Sequence, residues 1–192
     1  MSSKQFSAFM NRVLIVSNTL IIGGAEKLLF ELATFAKENK IEPTILILDN
    51  YQKEHYDDVL NKIDVKVVRT RINNIKHFRS PVKMLKSIFW TVKLFLFAER
   101  LYDSVHVIGL YNVDKVLTQI KHRQRYFWNV NNAIQFLNEE YPYSEDIFKN
   151  ENDTIMCINN YQLDETYGQY GISNIKSKMV LFKLFIREND TN

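Results

Sequence analysis

The 192-residue chain predicts a doubly wound, mainly parallel α/β sheet of about seven strands with helices on both faces. Three observations predict it. Short apolar, β-branched runs recur along the whole length, the mark of strands buried on both faces. Segments with apolar residues at helical spacing lie between them, so strand and helix alternate. The first such unit, Arg12 to Lys37, joins a strand to a helix through a loop that ends in two glycines. No internal repeat or low-complexity segment interrupts the alternation, and residues 1–192 read as a single domain.

Val13 to Val16 is the first strand. From Ala25 the period changes: Ala25, Leu28, Leu29, Leu32 and Ala36 recur at helical spacing, with Glu26, Lys27, Glu31 and Lys37 on the other side. Between them, Ser17 to Gly24 forms the glycine loop. Backbone N–H groups at a helix N-terminus, together with the helix dipole, suit an anion, and glycine permits close approach. Two readings therefore fit Gly23 and Gly24: contact with a phosphate, or the start of a helix alone.

Thr44 to Leu48 gives the second strand, His55 to Leu60 a short polar helix, and Val65 to Val68 a third strand. A basic stretch with Arg69, Arg71, Lys76, His77 and Arg79 precedes Pro81, which opens the next helix in the favoured first-turn position. That helix, to about Leu101, carries two apolar stripes. Leu85, Ile88, Phe89, Val92, Phe95 and Leu96 form the stripe expected to pack on the sheet. Trp90, Leu94, Phe97 and Leu101 fall nearly opposite at 100° per residue. Lys83 lies within this second stripe, with Lys86, Lys93 and Arg100 along one flank. Either a loop or helix covers it, or Lys83, Trp90, Lys93, Leu94, Phe97 and Arg100 form a surface for a partner or for an anionic membrane.

Val105 to Ile108 is the fourth strand, followed by a helix from about Val113 to Ile120. Tyr126 to Val130 is the fifth, with Asn131 and Asn132 capping a helix through Ala133–Leu137. A helical turn near Ser144–Phe148, a sixth strand at Thr154–Ile158, a helix from Tyr161 to Tyr170 ending at Gly171, and a seventh strand at Met179–Phe182 complete the chain.

A net charge of +3 is too small to argue for nucleic acid. A single cysteine allows no internal disulfide, so a reducing, cytoplasmic compartment is expected, and Cys157 reads as a small core residue. Before Arg12 there is no long apolar run of a signal peptide, and no segment has the roughly 20 uncharged residues of a membrane span. The expectation is a soluble protein, or one peripheral to the inner face of the cell membrane.

The Gly23-Gly-Ala-Glu26 segment after an Ile/Val-rich strand resembles the opening of family 4 glycosyltransferases of the GT-B fold. Tyr102-Asp-Ser-Val-His-Val-Ile-Gly109, Trp128-Asn-Val-Asn-Asn132, Ile155-Met-Cys-Ile-Asn159 with Tyr170-Gly-Ile172, and Lys178 to Phe182 resemble later pieces of that family's N-terminal, Rossmann-like domain, in the same order. The resemblance implies a bacterial enzyme of surface polysaccharide or glycolipid synthesis. This chain would hold the sugar or lipid-linked acceptor, while the nucleotide-sugar donor would sit mainly on a second domain beyond residue 192. The glycine loop would approach the donor's phosphates. Leaving-group stabilisation by backbone N–H groups needs no metal, and the chain shows no Asp-x-Asp or His/Cys cluster.

Open α/β sheets bind ligands at strand C-terminal edges. The candidate binding residues are accordingly Gly23 and Gly24, then Ser17, Asn18 and Thr19, then Asn112 and Asn132. Asn131 occupies the position of a family histidine, where an amide can donate and accept hydrogen bonds but cannot act as a base. His106 matches a family histidine of the fourth strand and reads either as a cleft residue or as a satisfied core histidine. Two other classes stand beside the enzyme. A dehydrogenase-type nucleotide module has the wrong glycine spacing here. A non-catalytic glycosyltransferase-like subunit fits Asn131 and the two-faced helix.

Overall fold

A computed structural model describes residues 11–48, 52–70, 99–108, 120–130, 140–141 and 145–183, together with Leu85, Phe89, Val92 and Ile134. Seven strands are present among them: β1 (Arg12–Ser17), β2 (Glu42–Ile47), β3 (Lys66–Arg69), β4 (Tyr102–Ile108), β5 (His122–Asn129), β6 (Asp153–Cys157) and β7 (Lys178–Leu181). All pair in parallel, in the order β3-β2-β1-β4-β5-β6-β7. The chain winds outward from β1 in one direction, then crosses to β4 and winds outward in the other. This is the doubly wound, Rossmann-like arrangement that the alternation predicts.

The described helices are α1 (Gly24–Glu38), α2 (Asp57–Lys62), α3 (Glu145–Phe148) and α4 (Asn160–Tyr170). One sheet face packs Ile15, Ile45, Ile47, Trp128 and Met156 with Leu29 and Ala33 of α1 and Leu60 of α2. The other packs Leu14, Val16, Leu46, Val105, Val107, Phe127 and Ile155 with Ile147 and Phe148 of α3 and Leu163 of α4. Helix α4 is capped by Asn159, whose side chain accepts from the Gln162 N–H, and it stops at Gly171 with φ 77°, a left-handed exit that glycine adopts freely.

Three readings change. The buried stripe of α1 is Glu26, Leu29, Ala33 and Ala36, so the helix is rolled to bring Glu26 inward, while Ala25, Leu28 and Leu32 are only half-buried. Small Ala33 and Ala36 let the helix approach the sheet closely. Strands β4 and β5 start earlier than their apolar runs, at Tyr102 and His122, because their first residues carry polar side chains at the N-terminal edge of the sheet. Leu85, Phe89 and Val92, the stripe expected against the sheet, are helical but 68%, 61% and 51% exposed. With apolar residues on both sides of that helix, periodicity alone could not say which stripe faces inward. The helices expected at 113–120 and 133–137 lie outside the described residues, Ile120 and Ile134 apart.

Cys157 is fully buried in the core, and burial pushes its thiol up to about 12. It is a packing residue, as its apolar surroundings predict.

Candidate functional site at the C-terminal edge of the sheet

Strand β1 ends in buried Ser17, whose carbonyl accepts from the Leu48 N–H at 3.1 Å. The chain then turns over the strand ends. Asn18 is half-buried, and its Oδ1 makes no hydrogen bond among the described residues. Thr19 donates from Oγ1 to Glu26 Oε1 at 2.9 Å. Leu20 is fully buried, and then Ile21 and Ile22 emerge, 52% and 75% exposed, just before the glycines.

The two glycines differ. Gly23, in extended backbone, is the N-cap of α1, and its carbonyl accepts from the Lys27 N–H at 2.9 Å to close the first turn. A Cβ at Gly23 would collide with the Glu26 carboxylate, so that carboxylate folds back across the N-cap. At Gly24 a Cβ would meet nothing within 4 Å. The first N–H groups of the helix have no acceptor inside it. Glu26, in the first turn, therefore supplies negative charge at the positive end of the dipole, and the open flank of the loop is the side of Gly24. The arrangement offers three kinds of group side by side: N–H donors at the helix start, a carboxylate acceptor steadied by Thr19, and an exposed apolar pair. Such a mixture suits a hydroxyl-bearing ligand as well as a phosphate.

His106 stands one strand away, paired with Ile15 on one side and Tyr126 on the other. Its ring stacks on Tyr126 at 4.8 Å between centroids and lies 6.1 Å from Trp128. Trp128 Nε1–H donates to Nδ1 at 3.1 Å, which leaves Nε2 to carry the proton toward Ser104 Oγ at 3.2 Å. Burial lowers its pKa to about 4, so the imidazole is neutral. Both nitrogens of this half-buried ring are thus engaged by side chains of β4 and β5.

Ser17, Asn18, Thr19, Gly23 and Gly24 come together on one edge, and His106 lies on the sheet face beside β1. Asn112, Asn131, Asn132, Lys83, Trp90, Lys93, Leu94 and Phe97 lie outside the described residues, while Arg100 is exposed. Sequence reasoning missed Glu26 as a buried group, although a Glu three residues after an N-cap is the signal of a carboxylate that folds back. It also missed Asn129 and Gln162. Asn129 is buried at the end of β5 and Gln162 in the first turn of α4, and Nδ2 of Asn129 and Nε2 of Gln162 lack a hydrogen-bond partner among the described residues. Among those residues no group of three or more His, Cys, Asp or Glu could hold a metal, and no helix is long and apolar enough to cross a membrane.

No protein-family model matches the chain, and nothing among curated proteins matches it. Among solved structures, the crystal structure of HepE from Anabaena, in complex with UDP and glucose, is similar with a TM-score of 0.50 at 12% sequence identity. The match covers 90% of this chain and 44% of HepE, so the chain spans less than half the length of that protein. At this identity the likeness is one of fold: the seven-stranded parallel sheet of this chain is an architecture that HepE shares.

Proposed function

We propose that the chain is the acceptor-side, N-terminal half of a two-domain sugar transferase of the GT-B, family 4 type, acting with a nucleotide-sugar donor in polysaccharide or glycolipid synthesis. The observation that carries this reading is the Ser17–Gly24 loop at the C-terminal edge of β1, with an open flank at Gly24 and the Glu26 carboxylate held by Thr19. Carboxylate acceptors and backbone N–H donors are what sugar hydroxyls and phosphates need. The fold shared with HepE, crystallised with UDP and glucose, and the 44% coverage of that longer chain support the same reading.

Titration of UDP-glucose, UDP and glucose into the isotope-labelled chain tests it. Amide shifts are expected at Asn18, Thr19, Gly23 and Gly24. Because Gly24 faces open space, Gly24→Leu should fold normally yet weaken the ligand about tenfold or more, a change of about 1.4 kcal/mol. Absence of shifts with all three compounds, or an unaltered affinity in Gly24→Leu, would overturn the reading.

A second surface is favoured by the exposure of Leu85, Phe89 and Val92, which recur at i, i+4 and i+7. Helical spacing in the sequence sets Lys86, Lys93 and Arg100 along one flank of such a stripe. We propose peripheral contact with an anionic membrane through these residues. The chain should bind anionic vesicles in a salt-sensitive manner, and Leu85→Glu with Phe89→Glu should abolish it. Equal binding by that variant, or none by the parent chain, removes the membrane from the reading.

A further inference from the structure

The glycine loop is held from outside by an ion-pair cluster that joins the end of β3 to the start of α2 and to the loop after β1. Arg69, which the sequence places at the start of the basic stretch after the third strand, is the last residue of β3. Its side chain is only 12% exposed, and Glu54, from the connection between β2 and α2, and Asp57, the first residue of α2, are similarly covered. Arg69 Nη1 donates to Glu54 Oε2 at 2.9 Å, and Nη2 donates to Asp57 Oδ2 in a short contact. The same Glu54 oxygen accepts from the Leu20 backbone N–H at 2.7 Å, and Asp57 Oδ2 accepts from the Glu54 N–H at 2.7 Å. The Tyr56 N–H donates to the Leu20 carbonyl at 3.3 Å. Both backbone groups of Leu20 are therefore tied to the β2–α2 connection, and its buried side chain fixes it from below. The next residue begins the exposed Ile21-Ile22 pair and the glycines.

We propose that Arg69 is a positioning residue for the glycine loop. Its planar fork orients Glu54 and Asp57 together, Glu54 pins Leu20, and Leu20 sets where Ile22, Gly23 and Gly24 stand at the sheet edge. A lysine offers a point charge and cannot span both carboxylates in this geometry. For its ligand, though not for the loop geometry, the proposal rests on the sugar-transfer reading.

Residue-resolved amide hydrogen exchange on the whole chain tests it, with Val107 and Phe127 as core references. Leu20 loses a hydrogen bond to a charged acceptor in Arg69→Met, so its exchange should accelerate by about tenfold or more while the core amides hold their rates. Arg69→Lys should not restore it. Glu54→Gln in the Arg69→Met background should, to within about threefold, because an amide oxygen still accepts from Leu20 and needs no counter-ion. Should Arg69→Met fail to fold, Arg69→Met/Glu54→Gln is compared with Arg69→Met/Glu54→Leu, and faster Leu20 exchange only in the latter supports the proposal. Unchanged Leu20 exchange in Arg69→Met, or core amides that accelerate in step with it, overturns the proposal. A UDP-glucose titration of the same variants separates the two ideas. Accelerated Leu20 exchange with unaltered affinity upholds the positioning role and counts against the loop as the sugar site.

Discussion

Asp153→Ala is expected to destabilise the chain by about 3–5 kcal/mol, because it takes the bidentate carboxylate away from a buried guanidinium. Arg125 and Asp153 are register partners on β5 and β6. Their side chains are 8% and 0% exposed, and Arg125 donates from Nε to Oδ1 at 3.0 Å and from Nη2 to Oδ2 at 2.6 Å. The guanidinium also lies 5.0 Å from the centre of the Phe127 ring on the same strand face. Removing the carboxylate leaves that charge without its bidentate acceptor, in surroundings that water reaches poorly. The loss is a large share of the roughly 5–15 kcal/mol that holds an ordinary domain together. Removing both charges, as in Arg125→Met with Asp153→Leu, should restore most of it, since an apolar pair of similar volume needs no such partner. Urea denaturation of the two variants and the parent chain measures both effects. A single-variant loss under about 1 kcal/mol would show that the pair is not desolvated in the sense argued.

The second large effect is on pH dependence. An unfolded histidine titrates near 6.5, whereas burial holds His106 at about 4 in the fold. The folded state thus binds the proton less readily than the unfolded state. The stability attached to the neutral ring is complete above about pH 6.5, falls as pH drops below that value, and stops falling below about pH 4. A shift of this size corresponds to about 3 kcal/mol at full extent. The geometry gives the same sign. A second ring proton at Nδ1 would face the Trp128 N–H, which already donates to that nitrogen. His106→Gln should start below the parent chain in stability at pH 7, and the gap should narrow toward pH 4 because the variant has nothing to protonate. Parallel stability curves for the two proteins across that range would assign the acid sensitivity elsewhere.

The sheet was legible because each central strand is apolar on both faces, and runs such as Val13–Val16 and Thr44–Leu48 can hardly be anything else. The polar beginnings of β4 and β5 escaped detection because they sit at the sheet's N-terminal edge, where charged residues such as Asp103 and Arg123 meet solvent and each other. The glycine loop was legible as a place, since two glycines before a helix punctuate strongly. Its chemistry was not. Glu26 looks like a solvated charge in the periodicity of α1 and is buried only because Thr19 and the missing Cβ at Gly23 make room for it. Arg69 looks like one of a run of loop cations, and its acceptors lie 12 and 15 residues earlier. His106 could have pointed either way until the Trp128 and Ser104 contacts fixed it in the sheet.

The strand order also sets a schedule. Strands β1, β2 and β3 pair through connections within the first 70 residues, so a nascent chain can assemble that half early. The other neighbour of β1 is β4, and the Arg12 N–H bonded to Asp103 Oδ2 spans 91 residues of sequence at that seam. Pairings so far apart in sequence slow folding, since the closure of a long loop precedes any gain from the contact. Until β4 emerges, β1 presents an open apolar edge, available for mispairing with other chains. The seam beside the glycine loop is thus joined only after β4 has been made, and changes that loosen β4 should show themselves in yield and aggregation during synthesis.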